Sequence, residues 1–226
     1  MKQTMKAIIT VRSGSKRVKN KNLRPFAGSS LLEIKIKQMQ RISELDAVQV
    51  NSNDDEMLKI GKDLGCEIFK RDEYYATDMV STNELRKNAA ENIDADIILV
   101  TNCTNPLLKD ETIRNAIKVY KSLSKEFDSL NTAHEVKDFL WYEGKAYNYN
   151  PAKTPRSQDL PDILGLDSAL NIISRKRMIE ISNFVGVNPF LYKISDLEAT
   201  DIDTELDFEV AEYLYKKCTG FSCVGS

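Results

Sequence analysis

The amino-acid sequence predicts an α/β protein with a doubly wound, mainly parallel sheet. Three observations lead to this prediction. Short apolar runs alternate five times with segments whose apolar residues recur at helical spacing, and the connections between them are short. That order favours β-α-β units, in which helices cover both faces of a parallel sheet. With 226 residues the chain is long enough for one large domain of this kind.

The predicted strands are short apolar runs of the kind that a parallel sheet buries on both faces. The clearest are MKAIITV and ADIILV. Between the runs, helical spacing predicts helices, and Asn53 or Asp54 is suited to cap the second of them. The predicted strands cover residues 5–11, 47–50, 66–69, 95–100 and 127–131, and the predicted helices cover 30–42, 54–64, 83–92, 109–123 and 207–217.

The alternation breaks in the second half of the chain. Residues 134–150 are rich in aromatic and turn residues, which predicts a hairpin, and residues 151–162 contain three prolines, which predicts a loop. We therefore expect a single domain over residues 1–226, with 134–182 as a small excursion from the main sheet. Such an excursion serves a partner, a lid or a dimer contact.

The composition excludes several classes of protein. Lys and Arg number 32 and Asp and Glu number 34, so no excess of positive charge points to nucleic acid. The four cysteines and the single histidine, His134, do not have the spacing of a zinc site. No run approaches the ~20 apolar residues of a membrane span, and the first residues lack the pattern of a signal peptide. We expect a cytoplasmic protein without a nucleic-acid or membrane partner.

The loop after the first strand is strongly basic. Between Arg12 and Lys21 it carries five cations, together with Gly14 and two small hydroxyl residues, Ser13 and Ser15. Glycine and serine permit close approach of the backbone to an anion, and the loop therefore suits a triphosphate. The loop is not a P-loop, because G-x-x-x-x-G-K-[ST] is absent. A solvated basic surface loop is the alternative.

An acidic segment near the other end of the chain has the ligands of a metal site. Asp201 and Asp203 flank the apolar Ile202, which in an extended segment places both carboxylates on one face, roughly 6–7 Å apart at the Cα atoms. Two carboxylates hold Mg²⁺ when phosphates and waters supply its other ligands. Asp207 is expected to start the final helix. The alternative is an acidic turn that caps this helix.

Together, the basic loop and the acidic pair supply the parts of a metal-assisted nucleotidyl transfer. The sequence also resembles the acylneuraminate cytidylyltransferase family, which includes CMP-sialic acid and CMP-Kdo synthetases. The resemblance spans nearly the whole chain, and its first and last segments are the most specific. The matching segments are RSGSKRVKNKN at 12–22, NSNDDEML at 51–58, FKRD at 69–72, TNPLL at 104–108, RSQDLP at 156–161 and DIDTELDF at 201–208.

The resemblance implies a Rossmann-like nucleotidyltransferase fold and a reaction that joins CMP from CTP to an acidic 2-keto-3-deoxy sugar, releasing pyrophosphate. It also implies Mg²⁺ or Mn²⁺ as the cofactor and a homodimer that pairs through the 134–182 region. Lys21 would lie nearest the α-phosphate, and Asp203 or its metal would assist deprotonation of the attacking hydroxyl. The residues implied for the nucleotide are Arg12, Ser15, Lys16, Lys21, Asn22, Arg71 and Ser81, those for the metal are Asp201 and Asp203, and those for catalysis are Arg12, Lys21 and Asp203.

The acceptor side departs from the family pattern. Asn102 stands where the family has Gln, Leu108 stands where it has Arg, and LDSALN at 166–171 replaces a strand that reads N-G-A-I-Y. A pocket that hydrogen-bonds its ligand discriminates strongly, so these changes are expected to alter the substrate. Asn102, Arg156 and Gln158 are the candidate acceptor ligands, and an ordinary loop role is the alternative for the last two.

Two alternative functions stay open at this point. One is CTP-dependent activation of a different small acid, Kdo or a phosphonate, and the other is a non-catalytic paralogue that binds nucleotide. The intact Lys21, Asp201 and Asp203 argue against the second. His134 has no nucleophile or orienting partner in view and is interpreted as structural. The aromatic stretch 139–149 is interpreted as packing at a dimer interface rather than as a platform for a sugar.

Overall fold

A computed structural model of the protein describes residues 3–15, 17–77 and 79–219. Over these residues the strands are β1 (Met5–Thr10), β2 (Pro25–Phe26), β3 (Ser29–Ser30), β4 (Ala47–Ser52), β5 (Glu67–Lys70), β6 (Ile97–Thr101), β7 (Ser129–Val136), β8 (Trp141–Tyr142), β9 (Lys145–Ala146), β10 (Ile163–Ser174) and β11 (Pro189–Lys193). The α-helices are α1 (Leu31–Gln40), α2 (Asp55–Asp63), α3 (Thr82–Glu91), α4 (Asp110–Ser122), α5 (Arg175–Ile181), α6 (Asp196–Ala199) and α7 (Glu205–Thr219). Short 3₁₀ turns cover Glu73–Ala76, Pro151–Lys153 and Ser157–Asp159.

Seven of these strands form the central sheet, in the order β11-β7-β10-β6-β1-β4-β5. β1 pairs in parallel with β4 on one side and with β6 on the other, and β5 continues in parallel beside β4. β10 is antiparallel to its neighbours β6 and β7, and β11 is again parallel to β7. The predicted doubly wound, mainly parallel sheet is confirmed. The carboxyl ends of β1, β4 and β6 meet at one edge, where sheets of this kind bind ligands.

The excursion from the sheet is smaller than the predicted range 134–182. Ile163–Ser174 forms β10, which inserts into the central sheet between β6 and β7. The polar residues Asp167 and Asn171 interrupt the apolar pattern of this strand, and its register with β7 shifts across the same stretch. Within the sheet, Asn171 Oδ1 accepts a hydrogen bond of 2.7 Å from Asn131 Nδ2. The β8–β9 hairpin and the two 3₁₀ turns after it form the part that does leave the sheet.

The sheet buries an apolar cluster on each face. Successive residues of β6 point to opposite faces, so that Leu99 packs in the larger cluster and Ile98 in the smaller one. Helices α1, α4 and α7 contribute to the larger cluster, and helices α3 and α5 contribute to the smaller one. Each fully buried aliphatic side chain stabilises the fold by about 1.5–3 kcal/mol. This double burial holds the strand ends in place.

Local sequence signals determine where the helices begin. Asp54 caps α2, as predicted, because its Oδ1 accepts hydrogen bonds from the backbone N–H groups of Glu56 at 2.9 Å and Met57 at 3.0 Å. Ser81 and Glu84 form a capping box at the start of α3. Within the described ranges, every helix falls short of the length and apolar character that a membrane span demands.

Candidate active site

The loop after β1 is fixed to the end of β4. The Val11 N–H donates to the Asn51 carbonyl at 3.0 Å, which continues the pairing one residue beyond β1. Ser13 then exchanges two hydrogen bonds with the side chain of Asn53, at 3.3 Å through its backbone N–H and at 3.0 Å through its hydroxyl. The sequence predicts Asn53 as a possible helix cap within the matching segment 51–58, but not as a contact of the basic loop. Its place directly after β4 was the signal that its side chain faces this loop.

The first cation of the loop, Arg12, is exposed at the sheet edge. Its Nη1 donates to the Ala76 carbonyl at 2.8 Å, so it bridges the basic loop and the 3₁₀ turn after β5. Gly14 follows with φ +80°, in open space, so its backbone conformation rather than its lack of volume favours glycine. Ser15 is half-buried beside it. Lys16, a predicted phosphate ligand, lies outside the described residues.

The acidic pair is held at the end of β6. Ile202 is fully buried, and its backbone N–H donates to the Thr104 carbonyl at 3.0 Å. The Thr104 hydroxyl also hydrogen-bonds Asp201. Because Ile202 points into the core, the carboxylates of Asp201 and Asp203 on either side are left toward the surface. The predicted pair therefore stands at the sheet edge that the basic loop occupies.

Lys21 joins the basic loop to the acidic pair. Its ammonium donates to the carbonyl of Ile202 and lies 4.0 Å from Asp203 Oδ1, and its side chain is only 15% exposed. Arg17 Nη2 contacts the same carboxylate at 2.7 Å. Arg17 was not among the predicted site residues, although it belongs to the same run of five cations. The structure thus brings together the two clusters that the sequence places at opposite ends of the chain.

Burial and neighbouring charges both shift the pKa values of the ionisable groups in this cluster. Burial lowers the pKa of Lys21 below its ordinary value, while the nearby Asp201 and Asp203 act to raise it. The pKa of Asp201 is raised because protein atoms displace water from its carboxylate and because Asp203 repels a second negative charge. A cation bound between the two carboxylates would relieve this repulsion.

Asp207 contributes to the start of α7 rather than to the acidic face. Its Oδ2 accepts from the Thr204 N–H at 2.7 Å and from the Asp203 N–H at 3.1 Å. The Thr204 hydroxyl bonds to the same oxygen at 2.8 Å and holds the pKa of Asp207 below its usual range. The final helix starts at Glu205, two residues before the predicted start at Asp207. Asp207 lies in its first turn, and its carboxylate fixes the backbone of Asp203.

Arg71 lies beneath the site, with its side chain buried. Its Nη2 donates to the Val11 carbonyl at 2.8 Å and its Nη1 donates to Asn51 Oδ1 at 3.2 Å, so it ties the ends of β1 and β4 together. Burial lowers the pKa of Arg71 to about 10. Among the described residues, its Nε has no hydrogen-bond partner. Asn22 is also buried and is also predicted to hold the nucleotide, and its carbonyl accepts a hydrogen bond from the Leu32 N–H.

Ser81, a predicted nucleotide ligand, is engaged as a helix cap. Its hydroxyl accepts from the Glu84 N–H at 3.2 Å and contacts Glu84 Oε2 at 2.8 Å. The residue is exposed at the start of α3, beyond the 3₁₀ turn that Arg12 contacts. A ligand at this helix N-terminus would meet free backbone N–H groups as well as the hydroxyl.

Asn102 and Leu108, which differ from the family pattern on the acceptor side, have different environments. Asn102 follows β6 and lines a cavity of about 210 Å³ on the α3 face of the sheet. Leu108, in contrast, is buried in the larger apolar cluster. Its side chain packs in the core and does not face an acceptor, so the expected effect of the missing Arg on the substrate stays a prediction.

Arg156 and Gln158 are not brought to the acidic pair within the described chain. Both are exposed at the 3₁₀ turn before β10. Arg156 pairs instead with Asp159, through its Nε at 2.7 Å and its Nη2 at 3.2 Å. Their assignment as acceptor ligands stays a prediction.

His134 lies beside a buried carboxylate that the sequence did not show. It lies opposite Gly165 on β10, and its Nδ1 is 3.8 Å from Oδ2 of the buried Asp167. A Cβ at Gly165 would come within 2.8 Å of the imidazole ring, so the glycine leaves room for it. No contact joins His134 to Lys21 or Asp203 in the part of the chain that the structure describes. Its interpretation as structural is unchanged.

The residues present fit a divalent cation that is shared with a ligand. In the described residues no group of three or more His, Cys, Asp or Glu side chains forms a metal cage. Asp201 and Asp203 offer carboxylate oxygens, which Mg²⁺ prefers, and Mg²⁺ commonly takes only one or two carboxylates beside phosphate oxygens and waters.

The sequence and the fold are similar to those of known proteins. Residues 6–217 match the cytidylyltransferase family. CMP-N,N'-diacetyllegionaminic acid synthase of Legionella pneumophila is 28% identical over 222 residues, which cover 92% of this chain and 94% of that protein. N-acylneuraminate cytidylyltransferase A of Danio rerio is 26% identical over 216 residues, which cover 91% of this chain but 49% of that protein, so this chain spans about half of it. CMP:2-keto-3-deoxy-manno-octonic acid synthetase in complex with CTP superposes with a TM-score of 0.70 at 12% identity, covering 95% of this chain and 99% of that one.

Proposed function

Because the chain belongs to the cytidylyltransferase family, whose members transfer a cytidylyl group from CTP, we propose that its acceptor is an acidic 2-keto-3-deoxy sugar of the nonulosonic type. The reaction joins CMP to this sugar and releases pyrophosphate. The single observation that carries the proposal is the contact of Lys21 with Ile202 and Asp203, which joins the basic loop to the acidic pair. The two relatives described above are named for N-acylated sugar acids, which supports an acceptor of that class.

The basic loop binds the triphosphate in this proposal. Arg12, Ser15, Lys16 and Lys21 neutralise the phosphates, with Lys21 nearest the α-phosphate. A pentavalent transition state carries more negative charge at phosphorus than the bound substrate, so a fixed and poorly solvated ammonium stabilises it preferentially. The low exposure of Lys21 supports this role.

The nucleoside is held, in this proposal, by Asn22, Arg71 and Ser81. Arg71 acts from beneath, since its side chain is 1% exposed and holds the Val11 carbonyl and Asn51. Its contribution is therefore to position the loop on which the nucleotide rests. Ser81 contributes through the start of α3.

Asp201 and Asp203 would hold Mg²⁺ or Mn²⁺. When bound, such an ion supplies positive charge to the phosphates and lowers the pKa of a coordinated hydroxyl. The Asp203 carboxylate accepts the proton of the anomeric hydroxyl as its oxygen attacks the α-phosphorus. The new bond joins the anomeric oxygen to phosphorus, and the bond from the α-phosphorus to the bridging oxygen breaks as pyrophosphate leaves.

The acceptor side includes Asn102, Arg156 and Gln158 as proposed ligands of its carboxylate and hydroxyls. Asn102 stands closest to the reaction centre along the chain, two residues before Thr104, whose hydroxyl meets Asp201. Arg156 and Gln158 lie on the exposed turn after the hairpin.

The proposed active form is a homodimer that pairs through the β8–β9 hairpin. Trp141 and Tyr142 are 59% and 66% exposed on this hairpin, and Tyr147 is 68% exposed just beyond it. Aromatic residues are enriched in protein interfaces because they bury a large area at little cost in side-chain entropy. The range 134–182 was predicted to serve dimerisation and the acceptor side. Because β10 belongs to the central sheet, the proposal keeps the rest of this range and leaves β10 out.

A pyrophosphate assay tests this function. The wild-type protein with CTP, Mg²⁺ and a nonulosonic acid is expected to release pyrophosphate, and release should require the acid as well as the metal. Asp203→Asn keeps the shape of the side chain and should abolish release while CTP still binds. Release that continues without any acceptor, or that survives Asp203→Asn at the wild-type rate, would contradict the proposal.

A further inference from the structure

The loop between β6 and α4 contains a buried asparagine, Asn105, that contacts the segment just before the acidic pair. Its side-chain amide donates to the carbonyl of Thr200 at 3.1 Å and to the carbonyl of Ala199 at 3.4 Å. The Thr200 carbonyl belongs to the peptide group that joins Thr200 to Asp201. Asn105 therefore holds the backbone at the point where the first aspartate of the pair begins.

The orientation of the Asn105 amide follows from these two acceptors. The residue is fully buried, and within the described chain its Oδ1 has no hydrogen-bond partner. The opposite orientation would place that oxygen against the carbonyls of Ala199 and Thr200, where acceptor would face acceptor. An unpaired buried oxygen is costly, so the amide keeps the orientation that directs its donors at the segment before Asp201.

The backbone of Asn105 is held in turn by Lys35 of α1. The Lys35 side chain is fully buried, and its ammonium donates to the Asn105 carbonyl at 3.0 Å and to Gln38 Oε1 at 2.8 Å. Burial lowers the pKa of Lys35 to about 8, so at neutral pH most molecules still carry the charge. Hydrogen bonds from a charged donor are stronger than neutral ones. Lys35 therefore fixes the position from which the Asn105 side chain extends.

The segments on either side of this contact are anchored as well. Gln38 Nε2 donates to the Leu108 carbonyl, which holds the far end of the loop after β6. Glu198 of α6 is buried, and its Oε1 accepts from the Lys109 N–H at 3.2 Å, which ties α6 to the start of α4. Because both segments are anchored elsewhere, the contact of Asn105 determines how the short stretch between α6 and the acidic pair is placed.

We propose that Asn105 is a positioning residue for the divalent cation and that Lys35 supports it in this role. By fixing the peptide group before Asp201, Asn105 keeps the carboxylate of Asp201 in place relative to that of Asp203. Mg²⁺ demands near-ideal octahedral geometry at about 2.0–2.1 Å, so a small displacement of one carboxylate weakens binding. The inference rests on the proposed function, since it takes Asp201 and Asp203 as the metal ligands.

The test measures the metal site apart from the transfer reaction, by Mn²⁺ titration followed by electron paramagnetic resonance with CTP present. Asn105→Ala removes both donors, Asn105→Ser keeps one shorter donor, and Lys35→Met removes the ammonium. The matched control is Asn131→Ala. Asn131 is also fully buried, and its amide also donates twice, to Asn171 Oδ1 at 2.7 Å and to the Phe184 carbonyl at 3.1 Å, away from the acidic pair. Urea unfolding compares the stability that Asn105→Ala and the control lose.

Asn105→Ala is expected to raise the Mn²⁺ dissociation constant roughly tenfold or more, since losing a residue that orients a metal ligand commonly weakens affinity 10–100-fold. Asn105→Ser and Lys35→Met should lie between the wild type and this value. Saturating Mg²⁺ should bring kcat of Asn105→Ala back to within about threefold of the wild type, because the loss is in metal affinity rather than in the chemical step. Asn131→Ala should bind Mn²⁺ as the wild type does.

Wild-type Mn²⁺ affinity in a folded Asn105→Ala protein would overturn the inference. An equal loss of affinity in Asn131→Ala would also overturn it, because the effect would then come from general destabilisation. If Asn105→Ala does not fold, Asn105→Ser decides by the same criteria. A wild type that binds Mn²⁺ but turns over no sugar acid would overturn the proposed acceptor alone, whereas equal Mn²⁺ affinity in the wild type and Asp203→Asn would remove the metal pair itself.

Discussion

The ammonium of Lys21 lies 4.0 Å from the carboxylate of Asp203 and donates a hydrogen bond to the carbonyl of Ile202 between the two site aspartates. Lys21 belongs to the loop after the first strand, and Asp203 lies just before the last helix. A charge pair at this distance is worth several times more where water is excluded than in bulk solvent. The contact therefore joins the basic loop and the acidic pair, which are far apart in sequence, into one site.

Replacing Lys21 should affect the chemical step more than nucleotide binding. Lys21→Ala is expected to lower kcat roughly 10²–10³-fold, as the loss of one transition-state contact does. The dissociation constant of CTP should rise much less, because the other loop cations remain. Lys19→Ala, an exposed cation of the same loop, is the control. Stopped-flow binding and steady-state turnover separate the two effects, and equal losses in both would remove Lys21 from the transition state.

Asp203→Asn should weaken the binding of the metal ion. The neutral amide is a poorer ligand than the carboxylate, while the 48% exposure of the Asp203 side chain makes a folding defect small. Mn²⁺ titration followed by electron paramagnetic resonance, with CTP present, should show at least a tenfold weaker site. Glu209→Gln removes an exposed carboxylate from α7 and serves as the control. Unchanged Mn²⁺ affinity in Asp203→Asn would place the metal elsewhere.

Lys35 should make stability depend on alkaline pH. The residue is fully buried on α1, its ammonium donates to Gln38 Oε1 at 2.8 Å and to the Asn105 carbonyl at 3.0 Å, and burial lowers its pKa to about 8. Below that pH the lysine is charged in the folded and unfolded states, so burial penalises the folded state in full. As pH rises from about 8 toward 10.5, the folded state gives up the proton while the unfolded state keeps it, and stability rises.

The difference in unfolding free energy between the wild type and Lys35→Met isolates this contribution. Between neutral pH and about pH 10 the difference should move in favour of the wild type by on the order of 1–3 kcal/mol. Urea unfolding at the two pH values measures it. Parallel pH profiles for the two proteins would show that Lys35 keeps an ordinary pKa in the folded state.

Removing the exposed aromatics of the hairpin should weaken the proposed dimer. Trp141→Ala combined with Tyr142→Ala deletes two large side chains that are more than half exposed in the single chain. Sedimentation velocity should show a shift toward monomer, because such aromatics commonly dominate interface energy. Tyr213→Ala removes a residue on α7 that is 63% exposed and should have no effect. A sedimentation profile identical to that of the wild type would refute this interface.

The sequence could predict the parts of the molecule whose signal is local. Strand β6 follows from an uninterrupted apolar run, and the cap of α2 follows from Asp54 directly before helical spacing. The acidic pair could be predicted because Ile202, as an apolar residue between two carboxylates, indicates an extended segment with one buried face. These features need no knowledge of distant residues.

Features that depend on distant contacts escaped prediction. Strand β10 is polar at Asp167 and Asn171 because partners on β7 offset the cost of burying them, and that pairing is visible only in the fold. Likewise, the burial of Arg71 depends on two neighbouring strand ends that the sequence places far from it. The pairing of Arg17 with Asp203 could not be predicted, because only the fold brings the last part of the chain next to the first loop.

The most direct test of the account is to identify the product formed from CTP, Mg²⁺ and a panel of sialic, legionaminic, pseudaminic and Kdo acids. Mass spectrometry of wild-type reactions should reveal a CMP-linked nonulosonic acid, formed together with one equivalent of pyrophosphate and missing from the Lys21→Ala and Asp203→Asn reactions. A protein that binds CTP yet forms no CMP conjugate with any member of the panel would contradict the proposed acceptor.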